Sequence, residues 1–313
     1  MLNIFDLTLR PDEQILYKRN DPNDPRFGEV TLTKRDSYRA ANLVILGCPQ
    51  DEGVTRNKGR PGARLAPDEI RRCFYKLPIP NSFKLNLFDL GNLIIAPTLE
   101  ETHALQQSII EQVLGDGKRL IVLGGGNDIS YPDCAAVSVV FQEVMVFNID
   151  AHYDVRADIP RNSGTPYRQL LEEEYLQPSK FYEIGNQPFS NSAIYHRYLE
   201  AKGVNIHALE ELKSIGVEKL IRSLLSQQTA KAIFWGFDVD AVNVAAAPGV
   251  SAPNSLGLSA EEFCAIARIA GQDNRTRLVE FSEVNPLFDL DLRTSRLVAT
   301  AIYFYLTALN SVV

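Results

Sequence analysis

Short runs of Val, Ile, Leu and Phe recur along the chain, separated by longer stretches of helical periodicity. The runs are NLVILG (42–47), KLNLFDLG (84–91), RLIVLGGG (119–126), EVMVFNID (143–150), KFYEIG (180–185), VNIHAL (204–209), KAIFWGFDVD (231–240) and TRLVEFSEV (276–284). They are continuously apolar rather than alternating, which suits strands covered on both faces. The stretches between them, such as LEETHALQQSIIEQVLG and SAEEFCAIARIAG, end at glycine as helices do. The last, TSRLVATAIYFYLTAL, predicts an apolar-rich helix with Thr294 as its N-cap. Strand–helix alternation predicts an α/β fold with a parallel, doubly wound sheet. Residues 1–40 are polar and proline-bearing and predict an irregular N-terminal arm. No composition break divides residues 41–313, so they predict one domain.

Composition narrows the function classes. A net charge of −7 across 313 residues argues against a nucleic-acid or anionic-membrane surface, which would need a basic patch. No stretch approaches the length of a membrane span. The opening MLNIFDLTLRPDEQ lacks the basic-then-apolar order of a signal peptide. The four cysteines (Cys48, Cys73, Cys134, Cys264) show neither zinc-finger nor redox spacing, so reduced core thiols in a cytoplasmic protein are expected.

In an open parallel sheet, ligands bind beyond the carboxyl ends of the strands. The fourth run ends NIDAHYDVR, placing Asp150, His152 and Asp154 at intervals of two. In extended chain those positions point to one side. Two carboxylates and an imidazole would converge there, and a cation would remove their repulsion and desolvation cost. The seventh run ends FDVDAV, repeating the arrangement with Asp238 and Asp240. A set dominated by hard oxygen ligands favours Mn²⁺ or a similar ion over thiolate-bound zinc. Such a site can hold two metals and lower the pKa of water. The third run ends LGGGNDIS, a sharp turn without the GK[ST] of a P-loop. The eighth ends EFSEVNP, where Glu280 or Glu283 could face a cationic substrate.

NIDAHYDVR, FDVDAV and SEVNP, in that order, resemble the ureohydrolase (arginase) family of arginase, agmatinase and formimidoylglutamase. DEGVTRNKGRPGA (51–63), NSGTPYRQ (162–169) and APGVSAPNSLGL (247–258) are similar to the formimidoylglutamase branch. The resemblance implies a three-layer α/β/α sandwich around a mostly parallel eight-stranded sheet. It implies a two-ion Mn²⁺ site in which Asp150 and Asp238 bridge the ions. Asp154 would complete one ion's shell, and His152 and Asp240 the other's. Glu283 would anchor a cationic amidine, with Asp154 as its catalytic companion. Arg168 would hold a substrate carboxylate. One departure is Asn127, in GGGND, where the family normally has a histidine ligand to one ion only; Asn243 also replaces a customary Asp. An amide oxygen is the poorer ligand, so that ion is expected to bind more weakly or be absent.

The expected function is metal-dependent hydrolysis of N-formimidoyl-L-glutamate to L-glutamate and formamide, a step in histidine catabolism. The rival readings are a hydrolase for another guanidino or amidino compound, and a metal-poor pseudoenzyme serving as a binding subunit. Expected partners are a small-molecule substrate and further copies of the chain in a homo-oligomer, with no nucleic acid and no membrane.

Overall fold

The computed structural model describes residues 3–312. Its single sheet has nine strands: β1 (Thr8–Leu9), β2 (Leu43–Gly47), β3 (Leu87–Leu93), β4 (Arg119–Leu123), β5 (Val144–Ile149), β6 (Phe181–Asn186), β7 (Asn205–Ala208), β8 (Ala232–Asp238) and β9 (Thr276–Ser282). The spatial order is β1-β3-β2-β4-β9-β8-β5-β6-β7. Strands β2 to β9 fall within the eight apolar runs, give or take two residues at their ends, and pair in parallel. Only β1 runs antiparallel, against the edge strand β3. Its two residues lie in the polar arm, where no period of alternation announces a strand.

Both sheet faces are covered because consecutive strand residues belong to different cores. Leu43 and Ile45 of β2 join one apolar cluster, and Val44 and Leu46 join the other. Trp235 of β8 is fully buried, stacks on Phe147 of β5 with ring centroids 4.3 Å apart, and satisfies its indole N–H on Thr276 Oγ1 at 3.1 Å. Truncating such a residue typically costs about 3–5 kcal/mol. The result is a helix–sheet–helix sandwich around a mostly parallel sheet, as expected.

Helix starts follow local chemistry. Thr98 and Ser259 form capping boxes with Glu101 and Glu262, opening the helices Leu99–Gly115 and Ala260–Gln272. Thr294 does not cap the last helix, Arg293–Asn310, but lies inside its first turn. Its buried hydroxyl accepts from Gly249 N–H, and the carboxylate of Asp289 takes the N–H groups of Thr294 and Ser295. An acid reaching in from the preceding loop has displaced the nearest hydroxyl as the cap.

The chain lays down β2, β3 and β4 on one side, then crosses to β5 on the other, leaving room that β8 and β9 fill later. The four central strands, β4-β9-β8-β5, therefore come from both halves of the sequence. Their carboxyl ends share one edge, and Asp150, Asp154, Asp238, Asp240 and Glu283 hang from it.

Candidate metal centre

The loop after β5 carries Asp150, His152 and Asp154, and Asp238 and Asp240 follow from β8. Ligand atoms of Asp150, His152 and Asp240 lie within 4.8 Å of one another, and so do those of Asp150, Asp154 and Asp238. Asp150 belongs to both groups, so two triads share one carboxylate. His152 turns its Nδ1 inward, 3.2 Å from Asp240 Oδ2 and 3.4 Å from Asp150 Oδ1.

Burial makes this cluster costly for protein alone. Desolvation, then the charge of Asp240, pushes the Asp150 carboxyl up to about 6. Desolvation and the charge of Asp150 push Asp154 up to about 8. Asp238 and Glu283 are raised well above the usual carboxylate range, chiefly by burial and then by Asp240 for Asp238. Imidazolium is favoured at His152, first by the negative charge of Asp240. The buried Asp240 Oδ1 and Glu283 Oε2 have no hydrogen-bond partner among the described residues. Unsatisfied carboxylate oxygens beside one imidazole are a donor set that hard divalent cations fit.

Asn127, after β4, stands over the second triad. Its Nδ2 donates to Asp154 Oδ2 at 2.6 Å and to Asp150 Oδ2 at 3.3 Å, while its Oδ1 accepts from the hydroxyls of Ser130 and Ser282. The amide nitrogen, not the expected oxygen, faces the carboxylates. A half-turn of the amide would present Oδ1 instead, because both hydroxyls can accept as well as donate. Sequence reading passed over these two serines. It also passed over Asn148, whose Nδ2 bridges Asp150 and the buried Glu183. Asn148 sits two residues before Asp150 in the same strand register, and that spacing was the available signal.

Of the two candidate glutamates, Glu280 inside β9 and Glu283 just after it, Glu283 faces the site. It adopts a left-handed backbone (φ 64°), as does Asp154 (φ 46°), and accepts the Asn127 backbone N–H at 2.9 Å. Strained backbone at two acids of one site is typical of functional positions. Glu280 lies beneath, accepting from Ser130. Asn243 anchors its loop by donating to the carbonyl of Leu258.

A cleft of about 420 Å³ opens above the acids, lined by His152, Asp154, Asp238, Asp240 and Glu283 with Lys58, Arg60 and Arg156. Larger surface pockets lie elsewhere, and neither ligand triad reaches them. Arg168 does not line the cleft, contrary to the sequence expectation. It sits in the helix Pro166–Glu172, where Glu172 one turn on takes its Nε at 2.8 Å, the Val155 carbonyl takes Nη1, and Tyr198 stacks beneath it. The i, i+4 pairing with Glu172 turns the guanidinium away. His103 is buried against Asp128, while His196 and His207 pair with Glu200 and Glu211 outside the cleft. All four cysteines are free and buried. Among the described residues, no helix is long and apolar enough to cross a membrane.

A parallel sheet whose central edge holds two carboxylate-rich triads on a shared aspartate defines a metallohydrolase of binuclear type. The chain belongs to the arginase family, whose model matches residues 41–307. Its relatives include formimidoylglutamase of Staphylococcus aureus (strain bovine RF122 / ET3-1), 32% identical over 314 residues, covering 93% of this chain and 100% of that one. The crystal structure of Trypanosoma cruzi formiminoglutamase with Mn²⁺ superposes with a TM-score of 0.87 at 33% identity, covering 92% of this chain and 99% of the other. Formimidoylglutamase from Bacillus subtilis gives a TM-score of 0.88 at 26% identity, covering 94% of each chain.

Proposed function

We propose that this chain is a Mn²⁺-dependent hydrolase of the C–N bond in linear amidines, converting N-formimidoyl-L-glutamate and water to L-glutamate and formamide in histidine catabolism. The observation that carries this reading is the pair of ligand triads sharing Asp150 at the floor of a cleft. Similarity to formimidoylglutamases along nearly the whole chain selects the substrate. Asp150, His152, Asp238 and Asp240 would hold one ion, and Asp150, Asp154, Asp238 and Asn127 the other. Bound Mn²⁺ would supply Lewis-acid activation of water near neutral pH. Asp154 would orient the attacking water by accepting its hydrogen at the carboxylate. Glu283, with an unpartnered Oε2 on the cleft wall, pairs with the cationic amidine. The buried surroundings keep bulk water from screening that pair.

With Mn²⁺ present, the purified chain is expected to release formamide from N-formimidoyl-L-glutamate and to release no urea from L-arginine or agmatine. Chelation should stop the reaction. Urea from either guanidino compound, or no formamide, would overturn the reading.

The division at residue 40 into an arm and a hydrolase domain is likewise our proposal, supported by a family match that begins at residue 41. So is a homo-oligomer, supported by exposed Phe189 and Leu256 on the wall of one surface pocket. Analytical ultracentrifugation should show more than one copy per particle, and a monomer at micromolar concentration would refute it.

A further inference from the structure

Resting on that reading, we infer that Lys58 and Arg156 form a two-cation rim that selects dicarboxylate amidines, with Arg156 taking the carboxylate next to the amidine and Lys58 the distal one. Besides His152, three basic side chains line the cleft, and one of them is already engaged. Arg60 donates to the carbonyls of Val250 and Ser251 and lies over the Phe288 ring. Lys58 is exposed and, among the described residues, makes no ion pair or side-chain hydrogen bond. Among the described residues, the one ion pair of Arg156 is a 3.9 Å contact with Asp158, and both side chains are about half exposed. Two uncommitted cations above an acidic floor match a ligand with one cationic end and two carboxylates.

Both cations are held in place by their loops. Lys58 has a left-handed backbone (φ 60°), in a turn closed by its N–H on Thr55 O and by Gly59 N–H on Val54 O. Neighbouring Asn57 and Arg60 tie that turn to Ser163 and Ser251. Arg156 follows Asp154 by two residues and lines the same cleft as the acids. Its backbone N–H reaches Gly164 O, and its stem crosses Gly164 where a Cβ would lie 2.7 Å from Arg156 Cδ. Glycine there makes the space for the arginine. The short chain distance from Asp154 assigns Arg156 to the near carboxylate, leaving the separate Lys58 loop for the far one.

The test compares three substrates with Mn²⁺-loaded protein: N-formimidoyl-L-glutamate, N-formimidoylglycine and formamidine, which carry two, one and no carboxylates. Arg156→Ala should raise KM roughly tenfold or more for the first two, the usual worth of a hydrogen bond to a charged group. Lys58→Ala should do so for the first alone. Arg156→Lys and Lys58→Arg should recover part of each loss, and Gly164→Ala should resemble Arg156→Ala. Arg168→Ala, whose side chain lies outside the cleft, should leave the ranking of the three substrates as it is. Equal losses on all three substrates, or a Lys58→Ala protein with unchanged KM, would overturn the rim. Calorimetry with glutarate, a dicarboxylate that cannot react, separates the rim from turnover. Weaker glutarate binding by both alanine variants supports it even if the parent hydrolyses none of the three, and unchanged binding refutes it whatever the turnover.

Discussion

Asp150→Asn is expected to abolish hydrolysis and both metal-binding events at once. Asp150 is the one side chain common to the two triads. Its Oδ1 accepts the His152 backbone N–H at 2.7 Å, and its Oδ2 accepts from Asn127 and Asn148. The substitution keeps shape and burial but exchanges a carboxylate for a neutral amide at the point both ions would share. Losing an outer partner of a metal ligand typically costs about 10- to 100-fold in affinity or activity, and a shared ligand should cost more. Elemental analysis should find little Mn²⁺ after desalting, and formamide release should fall by more than about 100-fold. Asn127→His is the contrasting case. It touches only the triad of Asp150, Asp154 and Asp238, so a metal titration should show that event tightening while the other stays fixed. A variant Asp150→Asn that retains both ions would rule out the shared-carboxylate arrangement.

Without metal, the protein should lose stability as pH rises from 5 to 8, and Mn²⁺ should reverse the loss. The carboxyls of Asp150 and Asp154 are pushed up to about 6 and about 8 from an ordinary 3.8. A carboxyl whose folded pKa lies above its unfolded one binds protons more tightly when folded. Its stabilisation is full below the unfolded pKa and disappears as pH passes the folded one. The window for these two acids therefore runs from about 4 to 8. His152, raised by Asp240 and Asp150, acts in the same direction from its ordinary 6.5 upward. A melting series on chelated protein should show Tm falling by at least about 5 °C between pH 5 and 8, at roughly 2–4 °C per kcal/mol for a large domain. Saturating Mn²⁺ at 100 times Kd should return about 2.7 kcal/mol per site. An apo Tm that climbs steadily over this range would show that the cluster is not strained by its own charge.

How much of this could be read beforehand depended on whether chemistry repeated along the chain. The acids after β5 and β8 were legible because carboxylates directly after a buried strand serve no packing purpose, and because the pattern appeared twice. Glu283 emerged from a choice of two, since strand register alone does not say which of Glu280 and Glu283 escapes the core. Arg168 was misplaced for a local reason: Glu172 stands one helical turn away, and a competing partner at i+4 outweighs a cleft further off. Lys58 and Arg156 come from loops 98 residues apart. Their meeting at one cleft depends on the path of each loop, which no periodicity encodes. The two residues of β1 were lost for want of length.

The floor of the cleft hangs from the ends of central strands, while its rim belongs to the turn around Lys58 and the segment of Arg156 to Gly164. The reactive end is carried by side chains at or just beyond the strand ends and the proposed selective end by loop residues further out, so substitutions confined to the rim can leave the acids in place. Transplanting those two loop segments from a relative with another appetite would exchange the menu and leave the stove alight. A lineage could drift from one amidine to the next through a few loop substitutions, with its manganese undisturbed.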